Sequence, residues 1–395
     1  MMQYRRFGRT ELSMPVFSCG GMRYQQSWKD SDAAAITLEG QENLEACIHR
    51  SLEAGISHIE TARGYGTSEL QLGRILPRLP REKLIVQTKI GPSPKEKFLE
   101  TFDLSMKNLQ LDHVELLGIH GINTPELLEE TLKKGGALEA ARQLQKDGRV
   151  RFVGFSTHGA CDMITAANAT GEFDYVNLHW YWINQSNNAA MAEATRQDMG
   201  VFIISPNDKG GKLYAPPEKL RSLCEPYSAM IFNDLFCLSR PEVHTLSLGV
   251  AKPTDFDEHL RALTLWDQRE EIVASVQDRL RGALEEALDP DWCRRWEEGI
   301  PSWENIPGEI NVWEILRLWT YATGLDMVEF GRMRYNLLGN ANHWFPGKNA
   351  GEMDEAAVRT VLSSSPFVDR IPSILKEAHQ LLWDKPAERL SKSDD

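Results

Sequence analysis

The sequence predicts an α/β protein, a (β/α)8 TIM barrel with a C-terminal all-helical domain, and three observations carry that reading. Over roughly the first 260 residues, short apolar runs alternate with amphipathic stretches about eight times. Repeated βα units require parallel strands joined by right-handed crossovers, and eight of them close a barrel with the helices outside. No G-x-G-x-x-G follows the first apolar run, so the rival open doubly wound sheet lacks its fingerprint. Beyond about Trp266 the strand-like runs stop and only helical spacing remains.

Val16–Cys19 is the first apolar run and ends at Gly20-Gly21. In Glu42–Ala54 the residues Leu44, Cys47, Ile48 and Leu52 share one helical face, and Gly55 closes it. Ser57–Glu60 is a short strand, and Ser68–Leu76 a helix with Ser68 as its N-cap. Strands at Leu84–Lys89, Val114–His120, Val150–Phe155, Tyr175–Leu178, Val201–Ile204 and Thr245–Leu248 follow. Helices at Phe98–Leu109, Ala137–Lys146, Cys161–Ala169 and Ala189–Asp198 separate the earlier ones, and a last barrel helix starts at Thr254. The long charged helix Glu270–Leu288 then breaks at Asp289-Pro290, and Asn311–Gly324, Val328–Leu338, Glu355–Leu362 and Ile374–Trp383 continue as helices. The expected division is a barrel over 1–266, a helical extension over 267–388 and a polar tail over 389–395.

Composition narrows the function classes. Hydrophobic residues make up 42% of the 395, enough for a large core. The net charge of −13, with no basic run, repels phosphate backbones and argues against nucleic acid as a partner. Cys19, Cys47, Cys161, Cys224, Cys237 and Cys293 form no C-x-x-C pair and read as reduced, buried thiols of a cytoplasmic protein. The arginine-bearing stretch Met1–Thr10 has no apolar segment of a signal peptide, and no run approaches the ~20 residues that span a bilayer, so no membrane insertion is expected.

In a parallel barrel the site lies at the C-terminal strand ends. Those ends carry Gly21-Met22-Arg23, Glu60 with Tyr65, Lys89, His120, Ser156-Thr157-His158, Asn177-Leu178-His179 and Ser205-Pro206-Asn207-Asp208-Lys209. Glu60, Tyr65, Lys89 and His120 make chemical sense together. A free phenol titrates at about pH 10 and becomes a useful acid only when something stabilises its anion. A lysine ammonium does that, a carboxylate holds the ammonium, and a histidine orients a carbonyl oxygen. Such a set protonates the oxyanion formed when hydride reaches a carbonyl carbon, and the hydride has to come from a nicotinamide. Singly, each residue has a plainer reading: Glu60 paired with an arginine, Tyr65 packed on the rim, Lys89 solvated, His120 a satisfied core imidazole. The combination is what points to catalysis.

These residues lie in motifs that resemble the aldo-keto reductase superfamily. His58-Ile59-Glu60-Thr61-Ala62-Arg63-Gly64-Tyr65-Gly66-Thr67-Ser68-Glu69, then Leu72-Gly73, resembles the signature D-T-A-x-x-Y-G-x-S-E-x-x-L-G. Val86-Gln87-Thr88-Lys89 resembles its lysine strand, Asp112 to His120 its D-Y-x-D-L-x-x-x-H segment, and Gly148 to Ser156 its G-K-I-R-x-I-G-x-S segment. The ordered match runs from Tyr4 to Leu263. The resemblance implies a barrel using NADP or NAD, with Tyr65 as general acid and Lys89, Glu60 and His120 in support. It also implies carboxamide contacts at Ser156 and Asn177, and cofactor contacts at Gly21, Met22, Ser205, Asn207, Gly249, Lys252, Asp255 and His259.

Three departures stand out. Glu60 replaces the usual aspartate and is one methylene longer. Ile204 stands where many members stack an aromatic ring on the nicotinamide. Asp255 falls where NADP-preferring members often carry arginine, and a carboxylate there repels a 2′-phosphate while Lys252 compensates, so the choice of nucleotide stays open. The C-terminal part resembles a ferredoxin-like helical extension found in a bacterial subgroup: Ile306-Pro307-Gly308-Glu309-Ile310-Asn311-Val312 is similar to its C-P-x-G-I-N-I. No cysteine follows Cys293, and a cubane needs four thiolates, so no iron–sulfur cluster is expected. Trp292, Trp296, Trp303, Trp313, Trp319 and Trp344 read as core filler, with a protein-partner surface as the other reading.

Two functions follow. The first is an NAD(P)H-dependent reductase of a small-molecule aldehyde or ketone. The second is a non-enzymatic relative with a residual nucleotide pocket, whose helical domain docks a protein partner. A metal hydrolase is disfavoured: His120, His158 and His179 lie at strand ends without the carboxylate–histidine spacing of metal ligation, so no metal ligands are assigned.

Overall fold

The computed structural model describes residues 1–29 and 33–388. The expected tail at 389–395 lies outside the described residues. Two compact units emerge, one of Met1–Gly210 with Asn233–Asp267, the other of Gly211–Phe232 with residues 268–388.

The first unit is a closed barrel of eight parallel strands. In chain order they are β3 (Phe17–Gly20), β4 (His58–Glu60), β5 (Ile85–Ile90), β6 (Val114–His120), β7 (Val150–Ser156), β8 (Tyr175–Leu178), β9 (Gly200–Ile203) and β10 (Thr245–Leu248), with β10 closing back onto β3. Nearly every strand residue is buried, as expected when helices cover one face and side chains fill the other. Two strands precede them and were not expected from periodicity. β1 (Tyr4–Arg6) and β2 (Ser13–Pro15) form an antiparallel hairpin. Phe7 and Met14 of this hairpin pack with Ile85, Leu116, Tyr175 and Phe202, of which Ile85 and Tyr175 are the first residues of their strands. That apolar plug fills the lower end of the barrel and leaves the C-terminal end for chemistry.

Helix ends follow local chemistry. Thr37 caps Leu38–Glu53 by accepting from Gly40 N, and Thr124 caps the additional helix Pro125–Leu132. The helix at Ser68 differs from expectation. Thr67 is its N-cap and gives no side-chain cap, because its hydroxyl bonds Gln71 and accepts from Gln26 N, while Ser68 Oγ bonds Thr61.

The second unit is helical. Arg269–Leu288 ends at Asp289, whose side chain accepts from Trp292 N and starts Pro290–Arg295, so the break expected at Asp289-Pro290 is a capped restart. Val312–Leu325 packs against it. Trp292 is fully buried and donates from its indole to Thr320 Oγ1 at 3.0 Å. Trp296, Trp319 and Trp344 are buried as well, whereas Trp303 and Trp313 are half-buried. The helix Glu218–Cys224 belongs to this unit: Arg279 donates to Leu223 O at 2.7 Å and to Glu225 O at 2.9 Å. Among the described residues no helix is long and apolar enough to cross a membrane.

Candidate active site

β4 and β5 run side by side with Glu60 opposite Gln87, which places Glu60 and Lys89 at neighbouring strand tips facing the barrel interior. Both are almost wholly buried. Lys89 Nζ donates to Glu60 Oε2 and, at 2.8 Å, to Thr61 O. Burial pushes the lysine pKa down, but the Glu60 carboxylate and Tyr65 outweigh it and hold the ammonium above its ordinary value.

The extra methylene of Glu60 has a structural answer on the other side. A Cβ at Gly20 would meet Glu60 Oε1 at 3.2 Å and Ser247 Oγ at 2.8 Å, so the longer side chain occupies space that only glycine leaves there. Ser247 donates to Glu60 Oε1 at 2.8 Å. Sequence spacing alone does not single out Gly20 or Ser247 as supports of the carboxylate. Their signal was positional, since both lie toward the C-terminal ends of strands flanking the site.

Tyr65 sits on the turn between β4 and the next helix. The Lys89 ammonium nitrogen lies 4.8 Å from its ring centroid. His120, at the end of β6, stands edge-on to that ring with centroids 5.8 Å apart. The turn is tied on every side. Arg63 N donates to Lys89 O at 2.8 Å, Thr67 N to Ser27 O at 2.9 Å, and Thr61 Oγ1 bonds Ser68 Oγ at 2.8 Å. Glu69, fully buried, takes Arg63 at 2.8 Å and the Thr88 hydroxyl at 2.7 Å. Gly66 has φ +53°, and a Cβ there would lie 1.8 Å from Ser27 O, so this turn closes only on glycine. The Ser68-Glu69 pair of the signature therefore works as an anchor for the tyrosine turn.

The other expected positions all lie near or past the C-terminal strand ends. Ser156 and Asn177 are opposite one another on β7 and β8. Both polar atoms of the Asn177 amide are buried without a hydrogen-bond partner. Gly21 follows β3 and donates from its N to Glu60 O at 2.7 Å, with Met22 next to it. Ser205 has φ +54° in the turn after β9, which also carries Asn207. Gly249 follows β10. Asp255 accepts from Ala251 N at 2.8 Å and Lys252 N at 3.2 Å, while the Lys252 side chain is exposed. His259 is buried, with Nδ1 on Asp234 Oδ2 at 2.5 Å and Nε2 on the Asn207 amide at 2.9 Å. Asp234 was not foreseen, because it comes from a helix distant in sequence. Among the described residues no group of three histidines, cysteines or acids is placed to hold a metal ion.

Residues 18–211 match the model of the Aldo/keto reductase family. Probable aldo-keto reductase 1 of Glycine max is 26% identical over 216 residues, covering 51% of this chain and 57% of that protein. L-glyceraldehyde 3-phosphate reductase of Escherichia coli (strain K12) is 28% identical over 174 residues, covering 40% of this chain and 46% of that protein. NADH-specific methylglyoxal reductase of the same strain is 26% identical over 198 residues, covering 43% and 59%. The chain spans about half the length of the curated relatives it matches. In fold it is similar to aldo-keto reductase AKR11C1 from Bacillus halodurans (holo form), with a TM-score of 0.58 and 18% identity over 71% of this chain and 96% of that one. The motifs, the closed parallel barrel and the match over residues 18–211 agree in making this chain similar to the aldo/keto reductase family.

Proposed function

We propose that the protein is an NAD(P)H-dependent reductase of aldehydes or ketones, with Tyr65 as the general acid. The observation that carries this reading is the Lys89 ammonium, buried between the Glu60 carboxylate and the Tyr65 phenol. A buried ammonium favours the phenolate left after the proton is given up. Glu60, fixed by Ser247, keeps the lysine charged and in place. His120 lies beside the same phenol, where an imidazole can orient a carbonyl oxygen toward the acid.

The residues present fit a nicotinamide. A buried amide with both polar atoms unpartnered is costly unless a ligand supplies its hydrogen bonds. Asn177 is such an amide, and a carboxamide offers both the donor and the acceptor it lacks. Ser156 and Asn177 would hold that end, with Gly21, Met22, Ser205, Asn207 and Gly249 along the rest of the dinucleotide. When bound, the nucleotide supplies hydride to the carbonyl carbon. Tyr65 then holds the proton for the resulting oxyanion, and Lys89 stabilises the phenolate.

One observation favours the second reading, a non-enzymatic relative. Asp255 closes its own turn, and His259 is engaged by Asp234 and Asn207, so the segment assigned to the adenosine end already satisfies itself. A titration separates the two. NADH and NADPH are each added while nucleotide fluorescence is followed, and the loaded protein is then offered a panel of aldehydes and ketones. Binding with carbonyl-dependent oxidation of the nucleotide supports the reductase. Binding without turnover across the panel supports the second reading, and no binding of either nucleotide overturns the first.

A further inference from the structure

Buried side chains tie the turn after β9 to the helix after β10, Phe256–Thr264. Asn233 and Asp234 are consecutive on the helix Ala229–Ser239, within the barrel unit. Asn233 Nδ2 donates to Pro206 O at 3.1 Å, which holds the backbone of the turn. Asp234 is fully buried and takes His259 Nδ1 on its Oδ2 at 2.5 Å, and the Asn207 amide nitrogen meets His259 Nε2 at 2.9 Å. Phe17 stands edge-on to the same imidazole, with centroids 5.7 Å apart. One assignment of protons satisfies these contacts. A carboxylate can only accept, so His259 Nδ1 carries the hydrogen. Nε2 then keeps its lone pair, and the Asn207 amide must turn its NH2 toward it.

That assignment leaves the Asn207 amide oxygen over. Oδ1 is buried and has no hydrogen-bond partner, although the residue as a whole is half-buried. A buried acceptor without a donor is costly, and a ligand that brings a donor removes the cost. Turning the amide over would set Oδ1 against the Nε2 lone pair, so His259 holds the amide in this orientation. Asp234 in turn fixes the tautomer of His259. Asp234 Oδ1 is also buried without a partner, so the imidazole is the group to which that carboxylate is bonded. His259 lies in the segment assigned to the adenosine end of a dinucleotide, and the open oxygen is therefore there too.

We infer that Asp234 and His259 are positioning residues for Asn207, and that the Asn207 amide oxygen accepts a hydrogen bond from the adenosine half of the nucleotide. The donor is a ribose hydroxyl or the adenine amino group. The inference rests on the nucleotide reading above, and it gives the engagement of His259 a use: a satisfied imidazole leaves a fixed acceptor behind it. A 2′-phosphate presents acceptor oxygens where NADH has a hydroxyl, so an Asn207 oxygen bonded to that hydroxyl also favours NADH over NADPH.

The test uses the full chain and ADP-ribose, which carries the adenosine half and lacks the nicotinamide. Calorimetric titration should show binding to the parent and binding about tenfold weaker to Asn207→Leu. His259→Ala should weaken ADP-ribose by a similar factor, and His259→Gln, whose amide oxygen can still accept from Asn207, should recover part of it. In the Asn207→Leu background His259→Ala should change the affinity no further, because its effect runs through the missing amide. An equal added loss in both backgrounds would make His259 a direct contact or a structural residue, and overturns the relay. If His259→Ala does not fold, the same cycle with Asp234→Asn, which removes the charge and keeps an acceptor, should show a smaller loss that Asn207→Leu also abolishes. Fluorescence titration of NADH, NADPH and the hypoxanthine analogue of NADH identifies the donor. Weaker binding of the analogue in the parent alone assigns the adenine amino group. A preference for NADH that narrows in Asn207→Leu assigns the 2′-hydroxyl, and neither signature with ADP-ribose still weakened assigns another ribose hydroxyl. Equal ADP-ribose binding by parent and Asn207→Leu, or none to the parent, overturns the inference. If ADP-ribose binds through Asn207 and no carbonyl is reduced, the reductase reading fails and this site stands. If carbonyls are reduced and ADP-ribose binding ignores Asn207, the reverse holds.

Discussion

His58 and Glu60 stand on one strand, Gln87 and Lys89 on the next, Thr245 and Ser247 on another, and Tyr175 and Asn177 on a fourth. Each strand thus gives one residue to a lower polar layer of the barrel and one, two positions on, to an upper layer. The lower layer is a continuous chain of neutral groups. Thr245 bonds Ser18 at 2.7 Å, Ser18 bonds His58 Nδ1 at 2.6 Å, His58 Nε2 bonds Gln87 Oε1 at 3.1 Å, and Gln87 Nε2 donates to Tyr175 Oη at 3.3 Å. The upper layer holds a buried ion pair and an amide without partners. A satisfied neutral network specifies packing and asks nothing of a ligand. A buried charge pair with an open amide is costly to hold, and it is the layer at which a ligand can bind and react. The same pleat that alternates side chains between faces therefore separates the frame from the chemistry.

Removing one charge from the upper layer has the largest expected effect. Lys89→Met strands the Glu60 carboxylate in the barrel and should cost about 3–5 kcal/mol in denaturant unfolding. Adding Glu60→Gln to that variant should recover much of the loss, because the orphaned charge goes with it. Independent, additive losses would mean that the two side chains do not act as a buried pair.

The lower layer should respond to acid. Burial, with the nearby Lys89 charge, pushes His58 down to about 3. The unfolded imidazole titrates at about 6.5. The unfolded chain therefore takes the proton first. The stability owed to neutral His58 is complete above about pH 6.5 and drains away as pH falls toward the folded value. Urea unfolding at pH 7 and pH 4.5 should show a smaller acid loss in His58→Gln than in the parent. His244, pushed down to about 4 mainly by burial, contributes a loss of the same sign that stays in both proteins. Equal acid losses would remove His58 as a neutral core group.

The smallest expected stability effect belongs to Asn177→Ala. Neither amide atom has a hydrogen bond to lose, so the change should stay within about 1 kcal/mol, while nucleotide affinity drops about tenfold. A large destabilisation with unchanged affinity would make Asn177 a structural residue.

Much of this site was legible because its parts lie in short contiguous stretches. Tyr65, Ser68 and Glu69 fall within one turn and helix start, and Lys89 and His120 end strands whose apolar runs are unmistakable. What escaped depends on partners distant in the chain. Ser247 meets Glu60 only when the barrel closes, and Asp234 meets His259 only once two helices are in place. The segment Gly211–Phe232 has helical spacing, but spacing does not say which apolar surface it covers, and it joins the C-terminal helices. The N-terminal hairpin has strands of three residues each, too short to leave a periodic signal.

Tyr65→Phe tests the central claim most directly, because it removes one oxygen and keeps the ring against His120. Steady-state turnover of an accepted aldehyde should fall by about 10²-fold or more while nucleotide affinity stays within about twofold. Turnover equal to that of the parent would show that the proton comes from elsewhere.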